Sequence, residues 1–568
     1  MKTKNLAAAG EREKIFPRNE TFRARGRLLS YTEKVMTFQK AAFAALAAVV
    51  VFSVPRGNAA EPEASSALPS REIRLKEVTG EDVRRVVRVG PALALGEAVP
   101  LALRNNLGVA VARREKASVA ETPNVALADF DPNFSFSSTY GNTGDAYWER
   151  QRSGASEQNW ANRAELSKKF SSGAEATLYG AFNRAYNTTT DFSPASGSAV
   201  GLEISQPLLS GFGEEINLAP LVKARKNVTQ STLSLRKTTL DLILDAEVAY
   251  WNLSASYALV GARLSSLRHA EFVLEQAKKR RALKDATKED VLQAEADVAS
   301  RRVNLVVARQ SVQDCDDALR KILGETGDDD SGTYAVAELS EDVPAETRTF
   351  AEWIAAVREF DIDAQIQEIE REKAELDLRV AADADRPSLA LVLGAEASGR
   401  ESSPAKSVTG VADRTGYDLS AGIRFSVPLG FRREKAELRR AELAREQAEI
   451  AVAQALQNAM FDARSVWRAS EAARERLASA KVALSMQKEA YAGQIARYGV
   501  GKATMTDVLS AQDALDSARL DLIQAALDVV TSRAKVQRLD GEILAANGFS
   551  WREIDDAESA SVVPAAAR

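Results

Sequence analysis

The chain runs to 568 residues with a formal net charge of −5; 27% of its residues are charged and 45% hydrophobic. It holds one cysteine, Cys315, and one histidine, His269, which removes disulfides, Cys/His zinc clusters, haem motifs and Ser-His-Asp or Cys-His catalytic sets. No enzymatic activity, cofactor or metal is therefore expected; His269 reads as a solvated helix residue and Cys315 as a packing or surface residue.

The apolar run Ala41–Val54 follows Lys40 and precedes the small residues Gly57-Asn58-Ala59-Ala60. It is shorter than the ~20 residues a spanning helix needs and fits the core of a signal peptide cleaved near Ala59, so residues 1–59 read as a signal region. The stretch ahead of that core is long for such a signal, and Met36 is the alternative true start. Residues 1–59 carry 11 Lys/Arg and 4 Asp/Glu, so the mature chain has a formal charge of −12. That acidity argues against a nucleic-acid partner. No later run of about 18 apolar residues occurs, so entry into a membrane would require a β-barrel.

Residues 60–91 read as a polar linker. Leu95–Glu121 is predicted mostly helical, with Pro100 marking a kink or a later start. Asp131-Pro132-Asn133 then opens Phe134–Tyr140, which alternates at period two as a strand does. Arg163–Phe170 and Ala174–Arg184 are predicted strands joined by Ser171-Ser172-Gly173, a hairpin. Val200–Leu209 follows as a strand with Val200, Leu202 and Ile204 on one face and Glu203 and Ser205 on the other. After Pro220, apolar residues recur at steps of three and four (Leu240, Leu244, Val248, Trp251, Ala255, Ala258, Ala262) and predict a helix from Leu221 to Ala286. Fully helical, that stretch would reach roughly 100 Å. A turn at residues 284–288 leads to a return helix, Glu289–Leu323, closed by Gly324.

The order then repeats. A helix over Thr349–Ala382 precedes the strand Leu389–Ala395, and a Ser/Gly loop leads to Tyr417–Leu429, whose alternation is nearly complete. One helix is predicted over Arg433–Arg497, a turn over Tyr498–Ala503, and a return helix over Thr504–Leu539. The turns carry a repeated phrase: Lys288-Glu289-Asp290-Val291-Leu292-Gln293-Ala294 is echoed 217 residues on by Met505-Thr506-Asp507-Val508-Leu509-Ser510-Ala511. The chain is therefore two versions of one unit, 92–330 and 345–543, with a tail at 544–568. Pro132 and Pro387 are offset by 255 and Pro207 and Pro428 by 221, so the length difference between the units falls between the strands of the first.

Each unit supplies two strands of about ten residues, long enough to cross a bilayer in a barrel. Four strands cannot close one, since the smallest take about eight, and open edges are not tolerated in lipid, so several chains must share the barrel. Whether the hairpin 163–184 joins it stays open. A soluble sheet with one wet face, carried on a periplasmic coiled-coil adaptor or scaffold that is never inserted, is the alternative.

The signal region, the strand ending Gln206-Pro207-Leu208-Leu209-Ser210-Gly211-Phe212-Gly213, the duplicated long hairpins, and Arg497-Tyr498 with Gly501 and Asp507-Val508-Leu509 together resemble the TolC family of outer-membrane efflux proteins over about residues 92–543. The resemblance implies a mainly α fold with a small transmembrane β part. It implies a homotrimer in which long α-helical hairpins form a periplasmic α-barrel and each chain gives about four strands to a shared outer-membrane barrel of twelve. It also implies contact with outer-membrane lipid and docking to a periplasmic adaptor protein and an inner-membrane transporter, in an efflux pump or a type I secretion system.

The repeated turns would then be a gate at the periplasmic tip. Asp507 matches the family's gate aspartate, Tyr498 its network tyrosine beside Arg497, and Gly501 its turn glycine, while Asp290 holds the equivalent place in the first unit. Ser510 stands where a second acidic ring residue can occur, and Lys284 where the first turn often has glycine. The turns, with Val500, Gly501, Thr504, Lys284 and Thr287, would meet the adaptor. Asp290 and Asp507 also suit plain helix N-terminal residues facing the dipole's positive end, and that reading stands beside the gate.

Overall fold

A computed structural model describes residues 78–144, 156–187, 195–284, 286–326, 332–340 and 348–551. The chain divides into two compact units, Met1–Arg74 and Leu75–Arg568, and every described residue lies in the second. The signal region, the alternative start at Met36, most of the linker and the tail beyond Trp551 lie outside the described residues.

The stretch read as a linker ends in structure. Helix α1 (Gly80–Val86) and strand β1 (Val89–Ala92) follow Thr79, whose backbone N–H donates to the Asp82 carboxylate at 3.1 Å. β1 pairs in parallel with β6 (Thr333–Ala335), which joins the approach to the first unit with the segment that follows it. The single helix predicted over Leu95–Glu121 is two, α2 (Leu95–Asn105) and α3 (Leu107–Ala120), and a third, α4 (Thr122–Ala128), follows. Pro100 sits inside α2 without ending it; the break is at Asn106, whose side-chain oxygen accepts from the N–H groups of Gly108 at 2.8 Å and Val109 at 3.3 Å. An Asn side chain that satisfies the free donors of a helix start favours a new helix over continuation of the old one.

Two long hairpins follow. The first comprises α6 (Ala219–Ala282), after the short α5 (Glu214–Asn217), and α7 (Lys288–Leu323); the second comprises α11 (Arg432–Gly499) and α12 (Met505–Leu539). Pro220 lies in the first turn of α6, where its missing N–H costs nothing. At 64 and 68 residues, α6 and α11 extend about 95 and 100 Å. The main core runs along α6 through Leu240, Ile243, Ala246, Tyr250 and Leu253, all buried, and takes in Val312, Leu319 and Leu323 of α7 and Val99 and Ala102 of α2. The helix has the apolar spacing expected of it, but the buried face is rotated from the stripe read in the sequence: of Leu240, Leu244, Val248, Trp251, Ala255, Ala258 and Ala262, only Leu240 and Ala255 are buried, and the others are half-buried. Between the hairpins, the predicted helix Thr349–Ala382 is two, α8 (Phe350–Phe360) and α9 (Ile362–Ala384), because the Asp361 carboxylate accepts the Ala364 N–H at 2.9 Å and starts a second helix.

The strands form one antiparallel six-stranded sheet in the order β2 (Asn133–Gly144), β3 (Ser156–Lys169), β4 (Glu175–Asn187), β5 (Ala195–Pro207), β7 (Ser388–Glu401), β8 (Gly416–Ser426). The hairpin 163–184, left open by the sequence, belongs to this sheet and lies between β2 and β5. One face collects the large apolar side chains, among them Phe134, Phe136, Leu166, Leu178, Val200, Leu202, Ile204, Leu393, Leu419 and Ile423, and all of these are exposed. The other face carries Ser135, Ser137, Arg163, Glu165, Tyr179, Glu203, Glu396, Asp418 and Arg424. A short helix, α10 (Pro404–Ala412), lies over the end of the sheet remote from the long helices, where the Ser198 and Ser407 hydroxyls are 2.8 Å apart. Among the described residues no helix is long and apolar enough to cross a membrane.

Candidate functional site

The two repeated turns have the same local chemistry. Thr287 and Thr504 are the residues just before α7 and α12, and each forms a reciprocal cap with the aspartate three residues on. The backbone N–H and hydroxyl of Thr287 both donate to the Asp290 carboxylate at 2.8 Å, and the Asp290 N–H donates to the Thr287 hydroxyl oxygen at 3.1 Å. Thr504 and Asp507 repeat this at 2.9, 2.7 and 3.2 Å. The donated hydrogen bonds, first among them the Thr504 backbone N–H, hold the Asp507 carboxyl below the usual carboxylate range. The capping reading of both aspartates is thus realised in hydrogen bonds at each turn.

The turns also share one left-handed backbone position. Lys284 has φ 67° and Gly501, 217 residues on, φ 74°. Lys284 therefore stands where the other turn has glycine in conformation as well as in sequence. Val500 is 71% exposed, and Arg497, Thr504, Thr287 and Ser510 are exposed too. The Ser510 hydroxyl donates back to the Asp507 carbonyl at 2.9 Å.

What brings the turns together is an apolar cluster below them. Val291 and Ala294 of α7 pack with Val508 and Leu515 of α12, Tyr491 and Tyr498 of α11, and Val273 and Ala277 of α6. Tyr498 is held by Arg280, at the end of α6: the guanidinium lies 4.4 Å from the centre of the Tyr498 ring and donates to the Tyr498 carbonyl at 2.7 Å. Burial pushes the Tyr498 phenol up despite that cation, and its hydroxyl has no hydrogen-bond partner among the described residues. The cation over this ring thus comes from the other hairpin.

Further along the hairpins, away from the turns, Arg301 of α7 is 9% exposed and meets three carboxylates. It bonds Asp297 of its own helix at 3.0 Å, and Asp516 at 2.9 Å and Asp513 of α12. Asp516 also accepts from Ser266 of α6, and burial raises the carboxyls of Asp516 and Asp297 despite Arg301. One turn away, His269 packs against Tyr491 with ring centres 5.4 Å apart, its Nδ1 buried and without a hydrogen-bond partner among the described residues. It is not the solvated residue the sequence suggested. Burial, with help from Arg519, pushes its pKa down to about 4, so the ring is neutral at neutral pH.

The family model described as "Outer membrane efflux protein" matches residues 98–325 and 354–542, most of the chain. The chain belongs to that family. It is 22% identical over 369 residues, 63% of this chain and 76% of the other, to the outer membrane efflux protein BepC of Brucella suis. Its fold matches the CmeC outer membrane channel of Campylobacter jejuni with a TM-score of 0.60 at 17% identity, over 89% of this chain and 98% of that one. The open-state MtrE outer membrane channel of Neisseria gonorrhoeae gives 0.56 at 17%, over 86% and 98%, and the outer membrane protein VceC of Vibrio cholerae gives 0.58 at 17%, over 79% and 96%.

As a member of the outer membrane efflux proteins, the chain is an outer-membrane export channel with a long periplasmic helical part and not an enzyme. The sequence-predicted residues Asp290, Asp507, Tyr498, Gly501, Thr287, Thr504 and Lys284 all fall at two turns that the cluster around Val291 and Val508 unites. Arg280 escaped the sequence reading because it sits in the basic run Lys278-Lys279-Arg280-Arg281, an ordinary ending for a helix. Arg301 and Asp516 escaped it because nothing local marks which of many helix charges become buried.

Proposed function

We propose that three copies of the chain form one export duct, and that its periplasmic entrance is the pair of turns at 284–290 and 498–507. The joint between the hairpins supports this most directly: Arg280 reaches from the first hairpin to the Tyr498 carbonyl and ring of the second, so the turns move together or separate at that contact. A closed entrance needs a contact of this kind, bistable and remote from the membrane. Assembly is supported by the edges of the sheet. β2 and β8 each have a partner on one side only among the described residues, and an open edge in lipid leaves backbone groups unpaired. Apolar side chains also stay exposed along the helices, at Val303, Val306 and Val307 of α7 and at Ile450 and Phe461 of α11, as subunit contacts would require.

The exposed residues Val500, Gly501, Thr504, Lys284 and Thr287 would receive the periplasmic adaptor, which links the duct to an inner-membrane transporter. Reconstituted in planar bilayers, the Arg280→Ala channel should conduct more than the unsubstituted protein; equal conductance would remove the entrance from this joint. An uninserted periplasmic scaffold would instead be recovered as a soluble monomer.

A further inference from the structure

The hairpin β3–β4 is the part of the sheet that the duplication does not account for: the second unit has nothing between β7 and β8 but α10 and its flanking turns. We propose that this hairpin is a transmembrane part of the barrel, so that each chain contributes six strands and a trimer closes eighteen. The proposal rests on the membrane-duct reading above and deepens it.

Four independent features carry it. The first is length and register: β3 and β4 have 14 and 13 residues, more than the ~9–11 needed to cross a bilayer. They pair without interruption with each other, with β2 from Asn133 to Gly144 and with β5 from Ala195 to Ser205. The second is the outer face. Tyr140, Trp160 and Arg184 share one rung, and Phe134, Leu166, Leu178, Leu202, Ala395 and Leu419 share another that crosses all six strands without a polar side chain. Toward the end remote from the helices, Tyr140, Trp160, Tyr186 and Tyr417 are all exposed on this face, an aromatic girdle of the kind found at a membrane interface, and two of the four belong to the hairpin. The polar residues of that face gather at its ends: Ser138, Asn162, Arg184 and Ser196 here, and Lys168 and Gln206 at the helix end.

The third feature is the inner face. The Tyr179 hydroxyl of β4 donates to the Glu396 carboxylate of β7 at 2.6 Å, reaching across β5 over Gly201, where a Cβ would meet the Tyr179 ring at 2.5 Å. Arg163 of β3 stacks on the same ring at 4.1 Å. The hairpin is thus tied through a polar network to the second unit, as strands around one water-filled lumen would be. The fourth is polarity along the strands. The turn at 171–173, at the helix end, is short and locked: Gly173 has φ 88°, a Cβ there would meet the Gly211 carbonyl at 2.3 Å, and the Gly213 N–H donates to the Ser172 carbonyl at 3.1 Å. The connections at the other end, 145–155 and 188–194, are longer. Short periplasmic turns and long outer loops are the pattern of outer-membrane barrels. Since barrel diameter grows roughly in proportion to strand number, the exit would be about one and a half times as wide as that of a twelve-stranded barrel.

The test uses full-length protein with Cys315→Ser, reconstituted in lipid vesicles and labelled at single cysteines with a fluorophore. The sites are Leu166→Cys and Leu178→Cys in the hairpin, Ser167→Cys and Thr177→Cys on the facing side, and Leu419→Cys in β8. Quenching by brominated lipid at 166 and 178 as strong as at 419, with aqueous iodide quenching at 167 and 177, is the expected result. Lipid quenching at 419 with aqueous quenching at 166 and 178 overturns the six-strand barrel and leaves the duct standing. Aqueous quenching at 419 as well overturns both. Should labelled variants fail to assemble, strands counted in the unsubstituted protein in nanodiscs decide: eighteen supports the proposal and twelve defeats it.

Discussion

Lys284 holds φ 67°, a backbone region that costs a residue with a Cβ about 1 kcal/mol, while the equivalent Gly501 at φ 74° holds it without penalty. Lys284→Gly should therefore raise stability by roughly 0.5–1 kcal/mol, and Gly501→Ala should lower it by about 1 kcal/mol, both read from urea unfolding of the helical part in detergent. A Cβ at 501 would be 3.6 Å from Arg280 Nη2, an ordinary contact, so the cost there is conformational. Asp507 serves its cap and, in the proposed gate, its charge; two substitutions separate these. Thr504→Ala removes the cap and keeps the charge, at about 1 kcal/mol of stability; Asp507→Ala removes both. If only Asp507→Ala raises conductance, the charge controls the entrance, whereas equal rises in both would assign the effect to the frayed helix start. At this scale the sequence displayed the capping pairs and the turn glycine, because those depend on neighbours three residues away. It hid Arg280, because a cation over a ring 218 residues distant is decided by how two hairpins pack.

Between elements, the Arg301 cluster and His269 join α6, α7, α11 and α12 above the turns. Removing one member of a buried ion pair strands the others, so Arg301→Ala should destabilise by about 3 kcal/mol or more, seen as a lower urea midpoint with the sheet unchanged. His269 gives this joint a pH dependence. Its folded pKa of about 4 lies below its ordinary 6.5, so the unfolded chain binds the proton first and stability falls as pH drops through that interval. Asp516 and Asp297, whose carboxyls are raised, act in the opposite sense: their contribution falls as pH rises above the ordinary carboxylate value of 3.8 toward their folded values. His269→Leu should accordingly flatten the stability profile between pH 6.5 and 4 and leave it unchanged above pH 7. The long helices were legible from their apolar steps of three and four. The breaks at Asn106 and Asp361 were not, because Asn and Asp occur within helices as well as at their starts and only the side-chain hydrogen bond distinguishes the two.

For the molecule as a whole, the decisive property is a sheet whose one face gathers large apolar side chains, all exposed in the single chain, while the other face is polar. Period-two alternation exposed the strands to sequence reading, and the duplication exposed their order. It did not reveal that the hairpin pairs in line with the rest, since alternation sets which way side chains point and not which strand lies alongside. The same face supplies a test of the membrane itself. Ile423 of β8 is 71% exposed and Leu419 76% exposed in the single chain, so an arginine at either would lose almost no packing in a water-facing sheet and should be neutral there. In a bilayer the same arginine costs about 2–4 kcal/mol near the midplane and roughly 0–1 at the interfaces. A depth-dependent series is therefore expected, with Ile423→Arg and Leu419→Arg depleting the heat-modifiable oligomer in outer-membrane fractions and Tyr417→Arg, at the edge of the aromatic row, leaving most of it. Ser420→Arg, which points to the opposite face, should assemble normally. A flat response across all four would mean that water, and not lipid, covers this face.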